Sequence, residues 1–141
     1  MIKEKLESYA KIINSIEDDQ ARYLWIMEFG KNSKSMEEEH KVPSFEVKGC
    51  QTQTWLVPHF VDFKIYFSAD SAALISKGMV CLIADVYSGS NVKDIEDFDQ
   101  DEFNVLKLDT LLTPGRNNGV HSMLKKVKKY ASNFKNFINA T

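Results

Sequence analysis

The sequence predicts an α+β fold: a small antiparallel β-sheet of about three strands, flanked by helices. Two runs of period-two alternation, in residues 51–58 and 62–68, lie between segments patterned at helical spacing. The helices precede and follow these strands instead of alternating with them, which is the α+β arrangement. The chain has 141 residues, 43% hydrophobic and 27% charged, the size and composition of one soluble domain spanning 1–141 with one core.

The elements follow in order. Leu6, Tyr9, Ile13 and Ile16 carry a helix over residues 2–16, with Ile12 widening its apolar stripe. Asp18 or Asp19 caps a second helix, which Gly30 ends. Residues 31–46 are polar and irregular, with the charge run EEEHK and Pro43; they read as a long loop with one helical turn near 35–40. In QTQTWLVP, Trp55 and Val57 point to one face, Thr54 and Leu56 to the other. In DFKIYFS, Phe63, Ile65 and Phe67 share a face, and a short connection near His59 to Asp62 makes the pair a hairpin. Phe45 and Val47 are candidates for a further strand.

Asp70 or Ser71 then caps a helix that runs to about Tyr87 and is closed by Gly89. Its apolar run ALISKGMVCLIADV makes it the central buried helix. Gly78 costs about 1 kcal/mol of helix propensity there, which close packing against another backbone would explain. Residues 91–109 interleave Asp94, Glu96, Asp97, Asp99, Asp101 and Glu102 with Ile95, Phe98, Phe103, Leu106 and Leu108, as short amphipathic helices with an acidic outer face. LLTPGRNNG is turn chemistry, and a last helix runs from about Asn117 to Ile138 with Lys125, Lys126, Lys128 and Lys129 outside its apolar stripe.

Composition excludes several functions. A net charge of −2 and a pI of about 5.9 do not support nucleic-acid binding. No apolar run approaches the ~20 residues of a membrane span. The N-terminus has neither the apolar centre nor the cleavage site of a secretory signal, so a cytoplasmic location is expected. Cys50, Cys81, His40, His59 and His121 show no metal-ligand spacing, and there is no phosphate loop or dinucleotide fingerprint.

The two cysteines have different surroundings. Cys81, in GMVCLIA, reads as a core residue. Cys50 sits in VKGCQTQTWL, after a glycine that frees the backbone and a lysine that would favour the thiolate. On composition, a reactive thiol and a plain core residue at a strand entrance both stay open.

Three stretches resemble a known family. VKGCQTQTWL resembles the V-x-G-C-Q-S-Q-V-W-[LIV] signature of the SufE family, sulfur-acceptor proteins of iron–sulfur cluster assembly, to which CsdE proteins are closely similar. SADSAALISKGMVCLIADVYSG resembles its G-D-S-D-A helix, and LLTPGRNNGVHSM its L-[ST]-P-[ST]-R-x-x-G-[LV]-x-x-M motif. Glu46, Thr52, Ala72 and Gly115 depart from the pattern.

The resemblance implies that Cys50 is the persulfide-carrying nucleophile, supported by Gly49, Gln51 and Arg116. It implies a SufS- or CsdA-like cysteine desulfurase as donor and a SufB-containing scaffold as acceptor. Pyridoxal phosphate belongs to the desulfurase; no cofactor is expected on this chain. The protein would be a carrier and activator without a catalytic cycle of its own. Arg116 would orient the cysteine loop or contact the desulfurase, or else pair within its own turn. Gln51 and Gln53 would anchor the loop, or else be solvated at a strand edge. Gly119 would serve the turn into the last helix. A docking regulator that transfers no sulfur, and a metal or cluster scaffold, are the alternatives. A persulfide is easily reduced or oxidised, so Cys50 is expected to rest tucked toward an apolar pocket beside its loop and to swing out on binding its partner.

Overall fold

The computed structural model describes residues 1–140. Helix α1, Ile2–Ser15, buries Ile2, Leu6, Ala10 and Ile13 at helical spacing. Helix α2, Asp19–Asn32, is capped by Asp18, whose carboxylate accepts from the Ala21 amide at 2.8 Å. Gly30 does not end α2, as its sequence position suggested; the helix runs two residues further. The glycine serves a helix crossing instead. A Cβ added to Gly30 would lie 2.5 Å from the Gly78 nitrogen, and one added to Gly78 only 2.0 Å from the Ile26 carbonyl oxygen. The close packing inferred for Gly78 is therefore present, with α2 as its neighbour. Short 3₁₀ turns at Glu38–His40 and Pro43–Phe45 punctuate the loop that follows.

Strands β1, Thr54–Val61, and β2, Lys64–Ser71, pair antiparallel from Thr54↔Ser71 to Val61↔Lys64. Asp62 and Phe63 form the two-residue turn, with φ of 51° and 62°. Two positive-φ residues give the turn the twist the strands need, without the glycine that usually supplies it. Phe63 is therefore not a core partner of Ile65 and Phe67; it is 72% exposed at the tip. Strand β3, Ser90–Asn91, pairs with Lys64 and Ile65, giving the sheet order β1-β2-β3. The further strand considered at Phe45 and Val47 is reduced to one bridge, Glu46↔Trp55, with the Val47 amide donating to Thr54 at 2.8 Å.

One sheet face, carrying Leu56, Ile65, Phe67 and Ala69, joins the main core. The other places Trp55 and Val57 beneath Met36 and Phe45. Helix α3, Leu74–Tyr87, packs on the first face and is buried along most of its length. Its start corrects the expected cap: β2 runs through Asp70 and Ser71, and α3 begins after Ala73 with no side-chain cap. Asp70 is instead a buried anchor. Its carboxylate accepts from the Met36 and Ser71 amides at 3.0 and 2.8 Å and lies 3.6 Å from both Lys41 and Lys77. Gly89, at φ +83°, closes α3 as expected.

Helix α4, Val92–Asp97, a 3₁₀ segment, Gln100–Leu106, and helix α5, Leu108–Leu111, bury Ile95, Phe103, Leu106 and Leu108 and leave most of their acids outside. Helix α6, Pro114–Ala140, starts earlier than the expected Asn117. Pro114 takes the first helical position, where its missing N–H costs nothing, and the Thr113 hydroxyl accepts from the Arg116 amide at 3.3 Å. Gly115, Arg116 and Gly119 thus sit on the opening turns of a long helix. Among the described residues, no helix is long and apolar enough to cross a membrane.

Candidate functional site

The segment between Val47 and Thr54 lies along the start of α6. Gln51 covers Gly115, whose added Cβ would fall 2.2 Å from the Gln51 amide nitrogen. Cys50 covers Gly119, where a Cβ would stand 3.3 Å from Sγ. Gly49, at φ +90°, approaches Ser122 so closely that a side chain there would meet its Oγ at 2.6 Å. Residues 115, 119 and 122 form one stripe of α6, and the loop runs down it in the opposite direction. The glycines make this trough. Gly119 is therefore not a turn residue but the floor beneath the thiol.

Cys50 is half-buried and packs against the main core. Its Sγ points at the Gly119 carbonyl oxygen, 3.8 Å away. Burial raises the thiol above its ordinary value; contact with the Thr54 hydroxyl and the positive charge of Arg116 oppose the rise, and Glu46 adds to it. The resting group is a tucked, protonated thiol. Lys48 is not the cation that acts on it: it is 75% exposed and lies 3.9 Å from Glu46. Its position two residues before the cysteine in sequence was misleading, because the side chain is mostly in solvent and lies near Glu46.

Arg116 does not pair inside its own turn. One guanidinium nitrogen donates to the Ser76 hydroxyl on α3 and to the Thr52 hydroxyl on the loop, the latter at 3.4 Å. Thr52 and Ser76 are themselves 3.3 Å apart. One cation thus joins α6, α3 and the segment just after the thiol. Gln53 contributes its backbone: its carbonyl accepts from the Ala72 amide and the Ser71 hydroxyl, both at 2.9 Å. Sequence reasoning missed Ser76 and Ser122. A hydroxyl inside the otherwise apolar ALISKGMV was the available signal for Ser76; nothing local marked Ser122.

Two departures from the signature acquire physical consequences. Gly115 makes room for the Gln51 side chain, and any larger residue would displace it. Glu46 contributes a negative charge that disfavours the thiolate.

Cys81 belongs elsewhere. It lines a cavity of about 560 Å³ beside β2 with Tyr9, His40, His59 and Asp85. Its thiol faces the Ala69 carbonyl at 3.6 Å, and burial pushes it up to about 11. His40 and His59 do approach one another, with ring centroids 6.3 Å apart, but on this cavity and not in the loop–α6 trough. Among the described residues, no group of three or more His, Cys, Asp or Glu is placed to hold a metal ion.

Comparison with known proteins agrees with the layout. The family model described as SufE, the Fe-S metabolism associated domain, matches residues 7–131. A SufE-like protein 1, chloroplastic/mitochondrial, of Arabidopsis thaliana is 32% identical over 128 residues, 90% of this chain but 34% of that protein. The chain thus spans about a third of that relative's length. The cysteine desulfuration protein SufE of Wigglesworthia glossinidia brevipalpis is 32% identical over 126 residues, 88% of each chain. An uncharacterized SufE-like protein of Rhizobium etli is 33% identical over 121 residues, 82% of each. The solution structure of a hypothetical protein from Thermus thermophilus shares the fold, with a TM-score of 0.74 at 15% identity, covering 92% of this chain and 94% of that one.

Proposed function

The chain belongs to the SufE family, and from that premise we propose that it is a sulfur acceptor whose Cys50 takes sulfane sulfur from a cysteine desulfurase. The observation that carries this reading is the setting of Cys50: a half-buried thiol on a glycine-hinged loop, laid in a trough and tied down beside it by Arg116. A core cysteine needs none of these devices.

The chemistry parallels thiol–disulfide exchange. The Cys50 thiolate attacks the outer sulfur of the donor's cysteine persulfide. A sulfur–sulfur bond forms at Cys50 as the donor's own sulfur–sulfur bond breaks, and the donor cysteine leaves as a thiolate. One sulfane sulfur moves, charge is conserved, and no oxidant or reductant is consumed. Leaving the trough removes the burial that is the main cause of the raised pKa, so the thiolate is easier to form there than at rest. Arg116, which already favours the anion, marks the side of the site where negative charge on sulfur is best tolerated. Cys50 would then pass sulfur to a cluster-assembly scaffold of the SufB type, and unloading the desulfurase would speed its next turnover. The pyridoxal phosphate that releases sulfur from free cysteine is the donor's.

Intact-mass measurement tests this. The protein is incubated with a SufS-type desulfurase, pyridoxal phosphate and cysteine. The expected product is the chain carrying added sulfur on Cys50, removable by dithiothreitol and absent from Cys50→Ser. A chain that gains no sulfur overturns the carrier role. Full stimulation of the desulfurase by Cys50→Ser would show that docking alone suffices.

A further inference from the structure

The trough that holds the thiol runs on into a group of lysines. Gly115, Gly119, Ser122, Lys126 and Lys129 succeed one another at helical spacing on one face of α6. The loop covers the first three of these with Gln51, Cys50 and Gly49. The next loop residue, Lys48, brings its charge to bear on Lys126: burial, with the charges of Lys129 and Lys48, holds Lys126 below the ordinary lysine range. Lys126 is further fixed by donating to the Ser44 carbonyl at 3.2 Å and by lying over the Tyr130 ring. Lys48, Lys125 and Lys129 are exposed.

The other flank of α6 is different. Lys128 donates to the carbonyls of Ile95, Glu96 and Phe98, and Lys135 pairs with Glu96 at 3.4 Å. Those lysines hold α4 in place. Among the described residues, the ion pair of the Lys48 group is with Glu46, 3.9 Å from Lys48. Like charges gathered without matching carboxylates repel one another, and an acidic partner would relieve that repulsion.

We propose that Lys48, Lys126 and Lys129, with Lys125 at their edge, form the docking surface for an acidic face of the protein that delivers sulfur to Cys50. The inference rests on the acceptor reading above and deepens it. At about 1.5 Å of rise per residue, Lys126 lies about 10 Å along α6 from the glycine under the thiol. A partner held by the lysines therefore has Cys50 within its footprint. Nucleic acid fits less well. The chain is acidic overall, Glu46 sits within the patch, and Lys126 covers Tyr130, the aromatic ring beside it.

The test uses the desulfurase of the mass experiment and titrates its stimulation by wild type, Lys48→Glu/Lys129→Glu, Lys48→Arg/Lys129→Arg and the control Lys11→Glu/Lys31→Glu. The first pair of substitutions is at exposed positions, so folding survives, and melting temperatures verify it. The half-saturating concentration is expected to rise about tenfold in the Glu pair at low ionic strength, with a weakened dependence on salt. The Arg pair and the control should match wild type. A Glu pair that matches wild type, or a control that is equally impaired, overturns the docking surface while the sulfur-acceptor reading stands. A wild type that takes no sulfur overturns both. Salt-sensitive binding of a DNA or RNA oligonucleotide that the Glu pair loses, with desulfurase affinity unchanged, would reassign the patch to nucleic acid.

Discussion

Cys50 is governed by opposing local forces, and each can be altered alone. Arg116 lowers the thiol's pKa while burial raises it. Replacing Arg116 with Met removes the lowering charge, so the pH midpoint for alkylation of Cys50 should move upward. Cys81, pushed up to about 11, is distinguished from Cys50 by mapping the alkylated peptides. An unchanged midpoint would show that the guanidinium acts only on the hydroxyls it touches. Gly119→Ala probes the trough. The new Cβ would stand 3.3 Å from Sγ, tight enough that the neighbour must move, and a loop hinged at Gly49 can do so. Alanine also gains about 1 kcal/mol of helix propensity. The expected variant is as stable as wild type but alkylates several-fold faster at Cys50. A rate at or below wild type would mean that the trough does not shelter the thiol.

At the scale of elements, the α2–α3 crossing is the least forgiving contact. In Gly78→Ala the new Cβ would lie 2.0 Å from the Ile26 carbonyl, and both groups belong to helix backbones that cannot shift independently. The overlap should outweigh the propensity gain and cost about 3 kcal/mol, as overpacking does, read as a lower urea midpoint. Hydrophobic period made much of this layer legible: the stripe of α1, the two strands, the buried α3 and the inner face of α6. What stayed hidden depended on partners distant in sequence. Gly30 looks like a helix terminator until Gly78 is seen against it. Asp70 looks like a cap until Lys41, Lys77 and the Met36 amide converge on it. Strand β3 is two residues long, too short for any alternation to show. In the site, the motif found the thiol and Arg116, but only the fold shows that Arg116 reaches Ser76 and that Gly119 lies under the sulfur.

At the scale of the whole molecule, Asp70 ties the loop after α2 to β2 and α3. Two backbone amides and two lysines hold its carboxyl below the ordinary carboxylate range despite the opposing effect of burial. A lowered folded pKa places the stabilisation at high pH. It is complete above the ordinary carboxylate value of about 4 and is lost as pH falls from there through the lower folded value. Asp70→Asn strands the buried Lys77 and should cost about 3 kcal/mol at neutral pH. The gap from wild type should shrink on acidification, as urea denaturation at about pH 7 and about pH 3 would show. A gap that persists in acid would mean that hydrogen bonding, not charge, makes the anchor.

The thiol loop rests on residues that offer it little side-chain bulk: Gly115, Gly119 and Ser122. Were the loop to lift, it would uncover a strip of α6 that carries little side-chain bulk. A partner that lays its own extended segment in that strip would keep the loop from closing for as long as it stayed. Release of Cys50 would then be an exchange of tenants, and the lifetime of the exposed sulfur would be set by how quickly the visitor leaves.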